Sequence, residues 1–465
     1  MKNNILIIKN ILFLSYISLI NCIIEIPLIP MEVKGVQKYK NIKIKIQNYS
    51  YNNKTVFIEE GKATINMNYI FLANVKIGSN EQEFNLVLDT GSSLLWVPKL
   101  NSKDSSEINH HYDPTKSTTS KYLRGSFSIK YGSGSCSGYF YSDNFKYFND
   151  KKFIIAFGVA EKTNFNVDNG DGIIGLARSY DDKSNSFIYM LKKYGVTDST
   201  LFSFKFNSNK YGASGQLFIG KHSDFSSNIA KSCPLIKYKD SLANTFWTCR
   251  VTGIEVKNSK IDVKSGRAFN MIFDTGTNMV LLPLNYAYDI QDKLKSLGCG
   301  FATEDSKSYQ IVCSSSLNLP NFNFEINGNT YTITKDYAFY KSGILQYSNI
   351  LFVDSSQMYI MGTPFFFAFH TLFDQESSNL NFYPKESSYL TEGTFITEDD
   401  IKPNEFDEED DDSAFETFTI VLIIIILCLM CGLVIYKLIQ CYQSRKNSDY
   451  PSSNYFSDNQ NYNFL

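Results

Sequence analysis

Two aspartates in this chain have the type, spacing and setting to do chemistry together. Asp89 opens the phrase Asp89-Thr90-Gly91-Ser92, and Asp274 opens Asp274-Thr275-Gly276-Thr277, 185 residues later. Each phrase closes an apolar run, Phe84-Asn85-Leu86-Val87-Leu88 in the first case and Phe269-Asn270-Met271-Ile272-Phe273 in the second. That pattern predicts a buried strand ending at each aspartate, with the glycine letting the backbone turn sharply. Brought face to face, the two loops give two carboxylates sharing one site. Carboxylates that close resist ionising together, so one keeps a proton near neutrality while the other serves as base. Such a pair can activate a water and protonate a carbonyl oxygen, the chemistry of peptide-bond hydrolysis.

A lone Asp-Thr-Gly is an ordinary turn sequence, so the weight rests on the elements that must position the pair. Leu94-Leu95-Trp96-Val97-Pro98 follows the first copy, and Met279-Val280-Leu281-Leu282-Pro283 follows the second. Further along each half an apolar pair meets a glycine, in Asp171-Gly172-Ile173-Ile174-Gly175-Leu176-Ala177 and in Ile360-Met361-Gly362-Thr363-Pro364. The chain therefore reads as an internal duplication of two β-rich lobes with one active-site loop each. In the first half, Tyr131-Gly132-Ser133-Gly134-Ser135 lies between β-prone aromatic stretches and predicts a flexible hairpin end able to open and close.

Other chemistries find less support. The four histidines, His110, His111, His222 and His370, form no zinc-type spacing with one another or with cysteines. His110-His111 reads as a solvated loop pair and His370 as a strand residue near the core of the second lobe. Gly134-Ser135-Cys136-Ser137-Gly138 resembles a nucleophile elbow, but an elbow needs a helix after it and the flanks here are β-prone. There is no Walker-type phosphate loop and no basic stripe, and the net charge is −2, which excludes a nucleic-acid binder of the usual basic kind.

The motifs together resemble those of the pepsin-like aspartic endopeptidases over about residues 64 to 385. The resemblance implies an all-β fold of two pseudo-symmetric lobes with a cleft between them, no metal and no cofactor, and protein or peptide substrates. Carried over residue by residue, Asp89 and Asp274 match the catalytic dyad. Ser92 and Thr277 match the hydroxyls bonded to its outer oxygens, and Thr90 and Thr275 match the threonines that lock the loops together. Tyr131, with Gly132 and Ser133, matches the flap tip, and Trp96 matches the tryptophan bonded to the flap tyrosine. Apolar residues around the cut bond follow from the same resemblance, with Tyr131 and the phenylalanines near Phe365 as pocket candidates. Asn278 stands where relatives more often have serine, and Ile77-Gly78-Ser79-Asn80 where they often show a Gly-Thr-Pro turn. A membrane-anchored relative, in composition plasmepsin-like, fits the whole chain best.

The ends carry their own signals. Lys2 and Lys9 precede the apolar stretch Ile11–Ile20, so residues 1–22 read as a signal peptide. Residues 23–61 hold more lysines than acids and read as a propeptide whose charge covers an acidic cleft until acidification releases it. The N-terminal lobe then spans 62–235 and the C-terminal lobe 236–386. An acidic stalk follows over 387–417, with eleven acidic residues and one lysine between Glu398 and Glu416. Residues 418–436 are 19 in a row without a charge, long enough for a transmembrane helix. Lys437, Arg445 and Lys446 come next, so residues 437–465 read as a cytosolic tail of a single-pass type I membrane protein. The catalytic lobes are then lumenal or extracellular, in the secretory or endomembrane system. Tyr462-Asn463-Phe464-Leu465 fits a sorting signal read by adaptor proteins, and Cys441 could take a lipid.

On that topology five cysteines are lumenal: Cys136, Cys233, Cys249, Cys299 and Cys313. Relatives carry a disulfide in the part of the second lobe that holds Cys299 and Cys313, and Cys233 with Cys249 is an open second pairing that would leave Cys136 free. Asn48 and Asn53 lie in glycosylation sequons. The rivals from other classes are a non-catalytic peptide-binding receptor on the same lobes and a cysteine hydrolase using Cys136.

Overall fold

The strands that end at Asp89 and Asp274 are largely buried, because each lies inside a large sheet rather than at its edge. The computed structural model describes residues 24–35 and 65–392 apart from 104–109, 133, 147–151, 165–169, 179–185, 210–211, 221–229, 238–244, 259–261, 303–307, 355–357 and 386–389. The expected signal peptide, most of the basic segment with Asn48 and Asn53, Ser133, His222, and all of the stalk beyond Glu392, the apolar run 418–436 and the tail lie outside the described residues. Among the described residues no helix is long and apolar enough to cross a membrane.

The first half forms β1 (Ile24–Gly35), β2 (Ile65–Ile77), β3 (Gln82–Asp89), β4 (Trp96–Lys103), β5 (Lys121–Tyr131) and β6 (Gly134–Lys146). It continues with β7 (Lys152–Thr163), β8 (Gly172–Gly175), β9 (Phe202–Asn209), β10 (Gly212–Ile219) and β11 (Lys231–Pro234). The second half gives β12 (Thr248–Lys257), β13 (Asp262–Ser265), β14 (Phe269–Phe273), β15 (Val280–Pro283), β16 (Cys299–Ala302), β17 (Ser308–Ser314) and β18 (Asn321–Ile326). It ends with β19 (Asn329–Ile333), β20 (Phe339–Ser342), β21 (Leu345–Val353), β22 (Ile360–Met361), β23 (Phe369–Asp374), β24 (Asn379–Pro384) and β25 (Leu390–Glu392). Thirteen strands join in the order β11-β24-β23-β9-β10-β1-β2-β3-β8-β4-β7-β6-β5, and the second sheet runs β16-β17-β21-β15-β22-β14-β12-β18-β19-β25 with β13 and β20 alongside.

The duplication is visible in the pairings. Strand β3 runs parallel to β8, with Asp89 opposite Gly175, and β8 pairs with β4 through Ile173 and Trp96. Strand β14 likewise runs parallel to β22, with Phe273 opposite Met361, and β22 pairs with β15 through Ile360 and Leu281. In both lobes the strand after the aspartate loop thus turns back against the partner of the strand before it. Gly175 and Gly362 sit where these passages cross. A Cβ on Gly175 would lie 2.4 Å from the Ser93 carbonyl carbon, and one on Gly362 2.1 Å from the Met279 oxygen, so neither position accepts a side chain.

Sheets and halves of the sequence do not coincide. Strands β23 and β24, from the second half, run beside β9 in the first sheet. Strand β1, within the basic N-terminal segment, pairs through residues 24–28 with β10 and through 29–35 with β2, and Ile26 and Leu28 are buried in the main core. Sequence periodicity reports that a strand is apolar on one face, not which sheet covers it.

Aromatic side chains fill the seam. Phe373 stacks on Phe202 at 4.8 Å and meets Trp247 edge-on at 5.0 Å, while Phe71 stacks on Phe206 at 4.0 Å. Cys233 of β11 is bonded to Cys249 of β12, which staples one sheet to the other, and Cys299 is bonded to Cys313 across β16 and β17. With partners 16 and 14 positions apart in sequence, each bridge contributes about 3 kcal/mol in the loop-entropy account. Truncating the seam is expected to be costly. In chemical denaturation, Phe373→Ala should lose about 3–5 kcal/mol, whereas Tyr331→Phe, which removes a buried hydroxyl without a partner among the described residues, should lose none.

Candidate active site

Each aspartate is delivered by the end of its strand and fixed by its own loop. Gly91 N–H donates to Asp89 Oδ1 at 2.8 Å, and Ser92 Oγ donates to Asp89 Oδ2. The second loop repeats the pattern: Gly276 N–H donates to Asp274 Oδ1 at 2.8 Å and Thr277 Oγ1 to Asp274 Oδ2 at 2.5 Å. These donors hold the carboxylates in place without adding charge.

The loops are locked to each other by their threonines. Thr90 Oγ1 donates to the Phe273 carbonyl at 2.8 Å and accepts from Thr275 N–H at 3.0 Å. Thr275 Oγ1 donates to the Leu88 carbonyl at 2.7 Å and accepts from Thr90 N–H at 3.2 Å. The close approach requires both glycines: a Cβ on Gly91 would lie 2.8 Å from Asp274 Cγ, and one on Gly276 2.7 Å from Asp89 Oδ1. Asp89 and Asp274 are both buried, at 7% and 8% exposure, and their carboxyls are hydrogen-bonded to one another. Burial first, and then the Asp274 charge, push the Asp89 pKa well above the usual carboxylate range, with the Ser92 and Gly91 donors only partly offsetting them. Of the two, Asp89 is the carboxyl whose charge the site resists.

Tyr131 ends β5 and pairs with Gly134 across a two-residue turn, Gly132 and the undescribed Ser133. Trp96 Nε1–H donates to the Tyr131 hydroxyl at 3.0 Å, and that hydroxyl is also hydrogen-bonded to Ser92. Tyr131 is therefore linked through Ser92 to Asp89. Cys136, on the same hairpin, is packed with Tyr131, Phe127, Ile129 and Trp96, and burial pushes its thiol up to about 12. A thiol so placed is neutral and shielded, which removes the conditions a nucleophilic cysteine needs.

Two expectations are refined. Phe365, Phe366 and Phe367 are buried in the core rather than at a surface, and Phe365 packs against Phe273, Phe369 and Phe382. His110 is not simply solvated. Its N–H donates to Asp171 Oδ1 at 3.0 Å, and its Nδ1 lies 2.8 Å from Asp171 Oδ2. Asp171 also accepts from Asn85 N–H at 2.7 Å and so ties β3 to the start of β8. The Asp171-Gly172 step was the sequence signal for this, but the partner 61 residues away was not legible. Among the described residues no group of three or more His, Cys, Asp or Glu could hold a metal ion.

Comparison with known proteins agrees with this geometry. The family model described as eukaryotic aspartyl protease matches residues 70–384. The chain belongs to that family. Its relatives include pepsin A of Bos taurus, 26% identical over 382 residues, which span 78% of this chain and 99% of that protein. Gastricsin of Oryctolagus cuniculus is 26% identical over 325 residues, 67% of this chain and 80% of the relative. Chymosin of Callithrix jacchus is 28% identical over 321 residues, 66% of this chain and 79% of the relative. The protein is a pepsin-family aspartic endopeptidase acting on protein or peptide substrates. The two disulfides among the described residues suit an oxidising compartment.

The protease should show the dyad in its stability. A carboxyl whose pKa is higher in the fold than in the unfolded chain binds more protons when folded, so stability falls as pH rises from about 4, the unfolded value, through the raised one. Replacing Asp89 by Asn removes that slope. Denaturant titrations from pH 4 to 7 are expected to show Asp89→Asn gaining on the wild type at each step, and parallel curves would contradict the shared proton.

Proposed function

We propose that this protease cleaves with a water held between Asp89 and Asp274, and that the carrying observation is the pair of carboxyls bonded to each other inside a seam locked by Thr90 and Thr275. The ionised member of the pair takes a proton from the water, which attacks the scissile carbonyl. The protonated member donates to the carbonyl oxygen, and a proton then passes to the leaving nitrogen. Ser92 and Thr277 hold the outer oxygens, and Tyr131, tied to Trp96, closes over the substrate. A preference for apolar residues around the cut is supported by the apolar cluster of Phe127, Ile129 and Trp96 behind the flap tyrosine.

In our reading the enzyme is anchored. The uncharged run 418–436, preceded by the acid block and followed by Lys437, Arg445 and Lys446, supports a single span with lumenal lobes and a cytosolic tail open to adaptor proteins. The basic segment 23–61 acts as a propeptide on the same reading. Because β1 fills an inner position between β10 and β2, its removal leaves a strand-wide slot that another part of the chain must fill.

The test is cleavage of a mixed peptide library by the full chain in detergent, across pH 3 to 7. Asp89→Asn and Asp274→Asn are each expected to lower turnover by at least about a thousandfold while leaving a cooperative unfolding transition. Cleavage that survives both changes would remove the dyad from the mechanism.

A further inference from the structure

Strand β5 closes the first sheet, and its outer edge has no strand beside it among the described residues. Tyr122 lies opposite Tyr141 and Ser126 opposite Tyr139, so Leu123, Arg124 and Gly125 bulge against Phe140 alone. The bulge is fixed in shape. A Cβ on Gly125 would lie 3.1 Å from Phe140 Cδ2, and Arg124 stands at φ 54°, a backbone that residues other than glycine rarely take. Tyr122 and Leu123 are 50% and 45% exposed, and the Tyr122 ring meets that of Tyr139, itself 39% exposed, at 5.8 Å.

Lys121, Arg124 and Lys130 are exposed along the same strand, and none has an acidic partner among the described residues. The acids of β6 and β7 are engaged elsewhere: Asp143, fully buried, by Tyr112 at 2.6 Å and by Thr119, and Glu161 by Lys99 at 2.5 Å. Charges and a bulge on an edge strand guard against pairing with another copy, which would bring like charge to like. That purpose does not account for two tyrosines and a leucine left exposed beside them, since apolar side chains make an edge adhesive. Tyrosine with arginine is instead the composition of a binding surface. We propose that the edge from Lys121 to Lys130 is an exosite, a docking strip outside the cleft, for an acidic stretch of the protein substrate remote from the cut bond.

The strip runs straight into the active site. Strand β5 ends at Tyr131, which is bonded to Ser92 and through it to Asp89. Arg124 precedes Tyr131 by seven positions, about 20 Å of strand at roughly 3.3 Å per residue. A substrate chain needs about six extended residues to cover that distance, so its acidic stretch lies at least that far from the cut. Carboxylates there meet Lys121 and Arg124, while apolar residues between them cover Tyr122, Leu123 and Tyr139. That the occupant is substrate rests on the protease reading. Contacts so far from the reacting bond are made equally in the ground and transition states, so they lower KM and leave kcat unchanged.

The experiment uses the full chain in detergent at low salt and about pH 5.5, where free carboxylates are charged. Two peptides share one cleavable core and carry a tail of about ten residues, long enough to reach the strip from either side of the core. One tail alternates Asp and Glu with Phe, and the other has Asn and Gln in place of the acids. Wild type is expected to cut the acid-tailed peptide with about tenfold lower KM and the same kcat. Lys121→Gln combined with Arg124→Gly removes two charges, and glycine keeps the backbone of the bulge. This variant should treat the two peptides alike and cut the amide-tailed one as wild type does. Fluorescence anisotropy of the labelled acid tail alone reads docking without turnover, and its Kd should rise about tenfold in the variant. Equal treatment of the two tails by wild type, or an acid-tail preference or affinity that survives in the variant, would overturn the exosite. A wild type that binds the tail more tightly than the variant does, yet leaves every core uncut, supports the exosite and counts against the dyad.

Discussion

Two threonine hydroxyls hold this molecule's chemistry together. Thr90 and Thr275 each donate to a carbonyl of the opposite strand end and accept an N–H from the opposite loop, in a fully buried setting. Every polar atom in the lock has a partner, and losing one hydroxyl would strand two buried groups at about 1–3 kcal/mol each. The arrangement is neutral, so it brings two carboxylates together without supplying the positive charge that would ionise both.

The remaining features follow from that constraint. Carboxylates held in contact need backbone rather than side chains behind them, which is why Gly91 and Gly276 each back the other loop's aspartate. The loops need support from below, which comes from the crossed strands at Gly175 and Gly362 and from the aromatic seam around Phe373 and Trp247. Tyr131 is tied to the same centre through Trp96 and Ser92.

Local chemistry was legible in the sequence where a short phrase fixes its own geometry. Asp-Thr-Gly loops, the glycines after apolar pairs and the Tyr-Gly-Ser-Gly hairpin all impose a backbone shape on their immediate neighbours, so their positions could be read from residues alone. Features set by distant packing could not. The pairing of His110 with Asp171 depends on how a loop folds over β8, and the burial of Phe365 depends on strands β23 and β24 crossing into the first sheet. The inner position of β1 is the strongest case, because a basic, strand-like segment reads equally well as surface or as centre until its neighbours are known. Residues beyond Glu392 stand on sequence alone.

The most direct measurement of the shared proton is kcat/KM for one peptide as a function of pH, on the full chain. A dyad with one proton predicts a bell on the acid side of neutrality, its two limbs belonging to the pair rather than to either aspartate. A rate that instead climbs steadily to neutral pH and above, and is lost on blocking thiols, would contradict the account and return attention to Cys136.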